Sequence, residues 1–305
     1  MEWAAPENNE PPRAPSAAPF ATRGPALAAR PGLPRLGPMT VSDVLDGSFS
    51  ILKAAPATII AFTAVFAVPV QILGAWLQRD LLGGDSLLDI INTDDTSLAG
   101  VDDSPFSGLG AQMVLFFGPA LALVFVAAGL VRLVGAWQVG RDLSLGELLR
   151  GSLPMAWPLL ASWLLVHLAE AGGMVLCGIP ALGVMAWFLV TAPVIGAEGL
   201  GPIDAMRRSY RLVSRRFWPV LGLALLSGIV ATLFGYALGF VPTVLSLLLG
   251  TDGYGWLLTA AAGVLTSLIT MPVVAGTTVL IYLDLRVRTE GLDLELDAAE
   301  AFPVR

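Results

Sequence analysis

Six apolar runs dominate the chain and leave few folds open to it. A run of about 18 or more apolar residues is long enough to cross the hydrocarbon core of a bilayer as a helix. The runs extend from about Ala55 to Leu77, Ala111 to Trp137, Leu153 to Cys177, Pro180 to Ala197, Phe217 to Leu249 and Trp256 to Leu283. Short polar joints separate them. Between the third and fourth runs the turn falls at Gly172-Gly173 or at Gly178-Ile179-Pro180. The second choice leaves both helices long enough to span. The expected fold is all-α, a polytopic bundle of six transmembrane helices.

Composition agrees with this expectation. The 305 residues are 55% hydrophobic and 13% charged, against roughly 25% charged in ordinary soluble domains. The mean hydropathy is +0.76. Such a chain is not an ordinary water-soluble enzyme, a disordered regulator or a nucleic-acid binder. The net charge of −7 also argues against a polyanionic partner, because phosphate backbones attract clustered Lys and Arg. The lone Cys177 excludes a disulfide framework, a thiolate zinc site and a C-x-x-C redox pair. The lone His167 argues against a histidine-ligated metal or a histidine-based triad. P-loop, G-x-S-x-G and H-E-x-x-H motifs are absent. The expectation is therefore a protein that is not an enzyme and has no cofactor.

Charge gives the orientation. Cytoplasmic loops gather Lys and Arg. Arg13, Arg23, Arg30, Arg35 and Lys53 precede the first run, Arg141 and Arg150 follow the second, and Arg286, Arg288 and Arg305 follow the sixth. The joint after the fourth run carries Arg207, Arg208, Arg211, Arg215 and Arg216. On the opposite side the joint after the first run holds Arg79 and seven aspartates, from Asp80 to Asp103. Both termini are expected in the cytoplasm, with the protein in the bacterial inner membrane. Residues 1–38 carry nine prolines and form an expected disordered cytoplasmic tail. Residues 39–285 form the membrane domain and 286–305 a cytoplasmic C-terminal tail.

Three joints share a pattern. Thr40-Val41-Ser42-Asp43, Ser144-Leu145-Gly146-Glu147 and Gly201-Pro202-Ile203-Asp204 each open on a helix-capping residue, or on Gly followed by Pro. Each has an acid three residues later, as a capping box requires. Ser48, Ser152 and Ser209 each lie five residues after the acid. Apolar residues at i, i+3, i+4 and i+8 give each joint one apolar face, suited to lying in the membrane interface. The predicted unit is an interfacial amphipathic helix followed by two spans, repeated three times. Asp43, Glu147 and Asp204 are then helix caps rather than acids for chemistry.

Further residues carry a family resemblance. Pro193, Glu198-Gly199, Ala205, Arg207, Ser209 and Phe217-Trp218 form one signature, and Tyr282, Asp284-Leu285-Arg286 and Glu290-Gly291-Leu292-Asp293-Leu294 another. Leu36-Gly37-Pro38-Met39-Thr40-Val41 with Val44-Leu45-Asp46 completes the set. Residues 36–297 thereby resemble the multi-helix membrane domain of glycerophosphoryl diester phosphodiesterases and its stand-alone, often actinobacterial, relatives. In fused members of that family the chemistry belongs to a separate soluble barrel. Such a barrel needs roughly 250 residues, and this chain ends soon after the sixth run. The resemblance implies a membrane domain without its catalytic partner and supplies no catalytic residues.

Ionisable groups at membrane depth are the remaining candidates. His167 and Glu170 sit at i, i+3 in the outer half of the third run, with Arg79 as a further partner. This is a candidate intramembrane polar site. Arg132, Glu198 and Asp284 fall at the inner ends of the second, fourth and sixth runs as a candidate ion-pair cluster. Arg207, Arg208, Arg211, Arg215 and Arg216 are candidate contacts for anionic lipid head groups. Prolines at 69, 119, 193, 242 and 272 lie within spans, and a break is expected near Gly239 to Pro242. Two functions follow from these features. One is a membrane scaffold or accessory subunit acting on lipids or a membrane-protein partner. The other is a small-solute or lipid transporter.

Overall fold

The computed structural model describes residues 37–78, 109–249 and 255–292, and every regular element among them is helical. In chain order these are α1 (Val41–Ala54), α2 (Pro56–Gln78), α3 (Leu109–Gln138), α4 (Leu145–Ser152), a 3-10 turn (Leu153–Met155) and α5 (Ala156–Val175). They are followed by α6 (Ile179–Phe188), α7 (Thr191–Glu198), α8 (Pro202–Ser214), α9 (Phe217–Leu249) and α10 (Gly255–Glu290). Six stretches are long and apolar enough to cross a membrane: α2, α3, α4 running on into α5, α6 with α7, α9, and α10. Among the described residues the protein is all-helical, with six stretches of membrane-spanning length and hydropathy. Residues 1–36, Arg79 and the acid-rich joint from Asp80 to Asp103 lie outside the described residues.

The bundle is built around its last helix. α10 packs against α1, α2, α3 and α9 and is the most buried of the six spans, while α9 is the least buried. Tyr282, Leu280 and Leu285 of α10 share the core with Leu133 of α3, Ile195 of α7 and Ile51 of α1. Two glycines let backbones approach closely, as small residues do in membrane bundles. Gly196 of α7 lies against Ala128 and Val131 of α3, and Gly276 of α10 lies against Ser48 of α1. The outer surface is apolar: Phe116, Ile179, Phe240 and Val241 are exposed. Lipid tails solvate such a surface, whereas water would drive it to aggregate. Trp157 and Trp218 are exposed near the starts of α5 and α9.

The three short polar helices form where the capping pattern places them. In α1 the Thr40 N–H donates to Asp43 Oδ2 at 2.8 Å, and the Asp43 N–H donates to Thr40 Oγ1 at 3.3 Å. The Thr40 hydroxyl and its backbone N–H hold the Asp43 carboxyl below the usual carboxylate range. Ser144 and Glu147 close the same box at the start of α4. α8 starts on Gly201 and Pro202 without a side-chain cap, and Asp204 turns instead to Arg207 at 3.5 Å. In all three helices the acid is exposed and the next residue (Val44, Leu148, Ala205) is buried. Ser48, Ser152 and Ser209 are also buried in all three.

Helix boundaries refine the sequence expectations. α5 ends at Val175, and Cys177 and Gly178 both take left-handed backbone conformations, with φ of 69° and 77°. The turn between the third and fourth spans is therefore at Gly178. The break expected at Gly239 to Pro242 does not occur, because α9 is continuous through Pro242. The interrupted span is the fourth, which divides between Phe188 and Thr191, just ahead of Pro193. α10 continues to Glu290, so residues 286–290 belong to the helix and not to a tail.

Candidate functional site

The polar residues of the bundle concentrate where α7 ends, α8 runs and α10 ends. α8 carries Ala205, Ser209 and Leu212 on its buried face, and Arg208 falls on that stripe at the i+3 position. Its side chain is consequently turned into the bundle and is 24% exposed. Arg208 Nε donates to both carboxylate oxygens of Glu198, at 3.2 and 3.1 Å. Nη1 and Nη2 donate to Glu290 Oε1 and Oε2, the second at 2.8 Å. One planar guanidinium thus bridges two carboxylates, a geometry the rigid fork of arginine favours. Its hydrogen bonds to Glu290, reinforced by the charge of Glu198, hold Arg208 above its ordinary pKa.

α10 supplies the rest of the network from one face. Tyr282, Arg286 and Glu290 recur every four residues and lie one above the other. The Tyr282 hydroxyl donates to Glu198 Oε1 at 2.9 Å, and Arg286 Nε donates to Glu290 Oε2 at 3.0 Å. The Arg286 guanidinium also lies 6.0 Å from the Tyr282 ring centroid. Two arginines and two glutamates cancel. Asp284 and Arg288 form a second i, i+4 pair, with Arg288 Nε 2.8 Å from Asp284 Oδ1. That pair clamps the lead-in to α1. The Met39 N–H donates to Asp284 at 2.7 Å, and Arg288 Nη2 donates to the Met39 carbonyl at 2.8 Å.

The expected cluster of Arg132, Glu198 and Asp284 is therefore not formed. Glu198 faces Arg208 and Tyr282, Asp284 faces Arg288 and Met39, and Arg132 pairs with neither. Its guanidinium rests against Gly151 of α4, and its buried Nε has no hydrogen-bond partner among the described residues. Periodicity locates helix ends but not their crossing, and the crossing brings α8 against both α7 and α10. Of the five head-group candidates, Arg208 is withdrawn into the network and Arg207 meets Asp204. Arg211 and Arg215 are exposed and Arg216 is half-buried.

Ser209, next to Arg208, serves the interrupted span. Its hydroxyl donates to the carbonyl of Trp187 at 2.7 Å. That carbonyl lies in the last turn of α6, where no continuous helix follows to use it. A buried carbonyl without a donor is costly, so Ser209 of α8 stabilises the interruption between α6 and α7. Thr191, at the start of α7, is buried, and its hydroxyl has no partner among the described residues.

His167 and Glu170 do lie together, with Nε2 and Oε2 3.9 Å apart. At that distance the two do not form a hydrogen bond. His167 Nδ1 is 2.9 Å from the Trp163 carbonyl, an acceptor only, so Nδ1 carries a proton. The ring packs against those of Trp163 and Phe117, at 4.8 and 5.4 Å. Trp163 and Phe117 also line an open apolar groove of about 430 Å³ with Pro69, Val70 and Met113. Arg79, the third expected member, lies outside the described residues. A further intramembrane contact joins α2 to α10, where Gln71 Nε2 donates to Ser267 Oγ at 2.6 Å. Among the described residues no group of three or more His, Cys, Asp or Glu side chains is placed to hold a metal ion.

A family model described as a domain of unknown function, DUF7847, matches residues 159–287, from within α5 to within α10. No curated protein and no solved structure matches the chain.

Proposed function

We propose that this protein is a non-enzymatic scaffold or accessory subunit of the bacterial inner membrane, acting on anionic lipid and a membrane-protein partner. The observation that carries the reading is the disposition of its charges. The carboxylates at the inner end (Glu198, Asp284 and Glu290) are occupied by arginines of the same bundle. Arg211 and Arg215 are left exposed beside the interfacial Trp218. Such an arrangement holds a shape and presents positive charge to phosphate head groups. The resemblance to the membrane domain of glycerophosphoryl diester phosphodiesterases fits the same proposal, a membrane unit that works beside a catalytic protein.

The proposal includes three copies of one unit, an interfacial helix followed by two spans, with both termini cytoplasmic. Support comes from the matched burial of Val44, Leu148 and Ala205, and of Ser48, Ser152 and Ser209. Two spans per unit return α1, α4 and α8 to one side, where the basic residues gather. The lone Cys177 is exposed at the opposite turn and tests this directly. A membrane-impermeant maleimide is expected to label it in intact spheroplasts without permeabilisation. Ser144→Cys in a Cys177→Ala background is expected to label only after permeabilisation. The reverse pattern overturns the orientation.

Cross-linking in native membranes followed by purification tests the scaffold role. A consistent membrane-protein partner is the expected result, and recovery of the chain with lipid alone counts against it. The interruption between α6 and α7, with the buried Thr191 hydroxyl beside it, favours a second reading as a small-solute or lipid transporter. Flux of solute or labelled lipid by the purified protein in proteoliposomes decides for that reading over the first.

A further inference from the structure

We propose that a crevice beside Arg216 binds one anionic phospholipid of the cytoplasmic leaflet, an inference that rests on the lipid-facing reading above. The crevice lies where the lead-in to α1, the first turns of α9 and the inner part of α10 meet, and its volume is about 220 Å³. That is below the roughly 300–1,000 Å³ of a site enclosing a drug-sized ligand. It suits part of a longer molecule whose remainder lies in the bilayer. Val220, Leu223, Ile281 and Leu285 make its apolar wall.

The charges of the crevice select the head group. Asp284 lines it, but this carboxylate is already matched by Arg288 at 2.8 Å and accepts the Met39 N–H at 2.7 Å. Arg216 also lines it and is half-buried, and its guanidinium makes no hydrogen bond or ion pair among the described residues. The site therefore carries one uncompensated positive charge. Arg216 immediately precedes α9, whose N-terminal amides add positive potential at the same place. The exposed Trp218, two residues on, marks head-group level. A phosphodiester on the guanidinium, with the first carbons of an acyl chain along Val220 and Leu223, satisfies both the charge and the apolar wall. An anionic lipid is favoured over a zwitterionic one because Arg211 and Arg215 are exposed nearby in sequence and no free carboxylate of the crevice remains for an ammonium group.

Native mass spectrometry of the full chain, released from micelles containing phosphatidylglycerol and phosphatidylcholine, tests this. One phosphatidylglycerol is expected to be retained in preference to phosphatidylcholine. Arg216→Ala is expected to weaken that retention about five- to tenfold, as the loss of one interfacial cation implies. Leu223→Phe keeps the charge but fills the crevice, and is expected to weaken retention as well. Arg211→Ala lies outside the crevice and is expected to change retention less than Arg216→Ala does. Unchanged retention in Arg216→Ala with its elution profile intact overturns the site while leaving the lipid reading standing. Equal retention of both lipids by the unaltered protein overturns both.

Discussion

Replacing Arg208 by alanine is expected to destabilise the bundle by about 2–3 kcal/mol. Removing one partner of a buried pair costs about 3–5 kcal/mol because the remaining charge is stranded. Arg208 and its partners are a fifth to a quarter exposed, so water screens part of that loss. The substitution leaves Glu198 with the Tyr282 hydroxyl and Glu290 with Arg286. It also turns a neutral group of four charges into a net negative one. Arg207→Ala is the matched control. That neighbour is 68% exposed and meets only Asp204 at 3.5 Å, so its loss is expected to be under about 0.5 kcal/mol. Arg208→Lys, which keeps the charge but loses the fork, falls between them. Unfolding in mixed micelles followed by helical circular dichroism measures all three. Equal midpoints for Arg208→Ala and Arg207→Ala refute the network's structural role.

The second large effect comes from a single methyl group. A Cβ on Gly196 sits within van der Waals overlap of the Ala128 backbone, with Ala128 Cα at 2.9 Å and Val131 Cγ1 at 2.6 Å. Backbone cannot rotate away as a side-chain tip can, so α7 must separate from α3. Gly196→Ala is expected to cost about 3 kcal/mol, the upper end of overpacking, and to lower the yield of folded protein in detergent. Gly222→Ala on α9 is the contrast. Nothing lies within 4 Å of a Cβ there. The same substitution in an open helical position is expected to stabilise by about 0.5–1 kcal/mol. If both variants move the unfolding midpoint in the same direction, the close approach of α3 and α7 is wrong.

The spans were legible in the sequence because the bilayer sets a length and an apolar run meets it. The capping boxes of α1 and α4 were legible because a cap is local, a matter of four residues. The His167–Glu170 pair was legible for the same reason, since i, i+3 residues share a helix face. What depends on helix crossing was not. Arg207 and Arg208 look alike in a basic joint, yet one is at the surface and the other joins Glu198 to Glu290. A signal for this does exist in the sequence. Arg208 lies on the stripe of Ala205, Ser209 and Leu212, and Arg207 does not. Tyr282, Arg286 and Glu290 similarly share a stripe that Asp284 and Arg288 do not. Those stripes assign each charge to a face. They do not say that α8, rather than α3, provides the cation for Glu198. The proline breaks were illegible for a related reason. Pro193 and Pro242 have the same local chemistry, but among the described residues only the first has a serine hydroxyl from another helix to take a carbonyl from the interrupted ladder.

The position of α10 at the heart of the bundle bears on how the protein is made. Ribosomes deliver helices to the membrane in chain order, and α10 is the last of the helices described. Until it arrives, Gln71 lacks Ser267, Glu198 lacks Tyr282, and the lead-in at Met39 has nothing to close against. The helices ahead of α10 therefore lack these three contacts until it is in place. Insertion of α10 supplies the missing partners together and stitches the first helix to the last. The lead-in to the first described helix and the last described helix are thereby closed on one another only once α10 is in place.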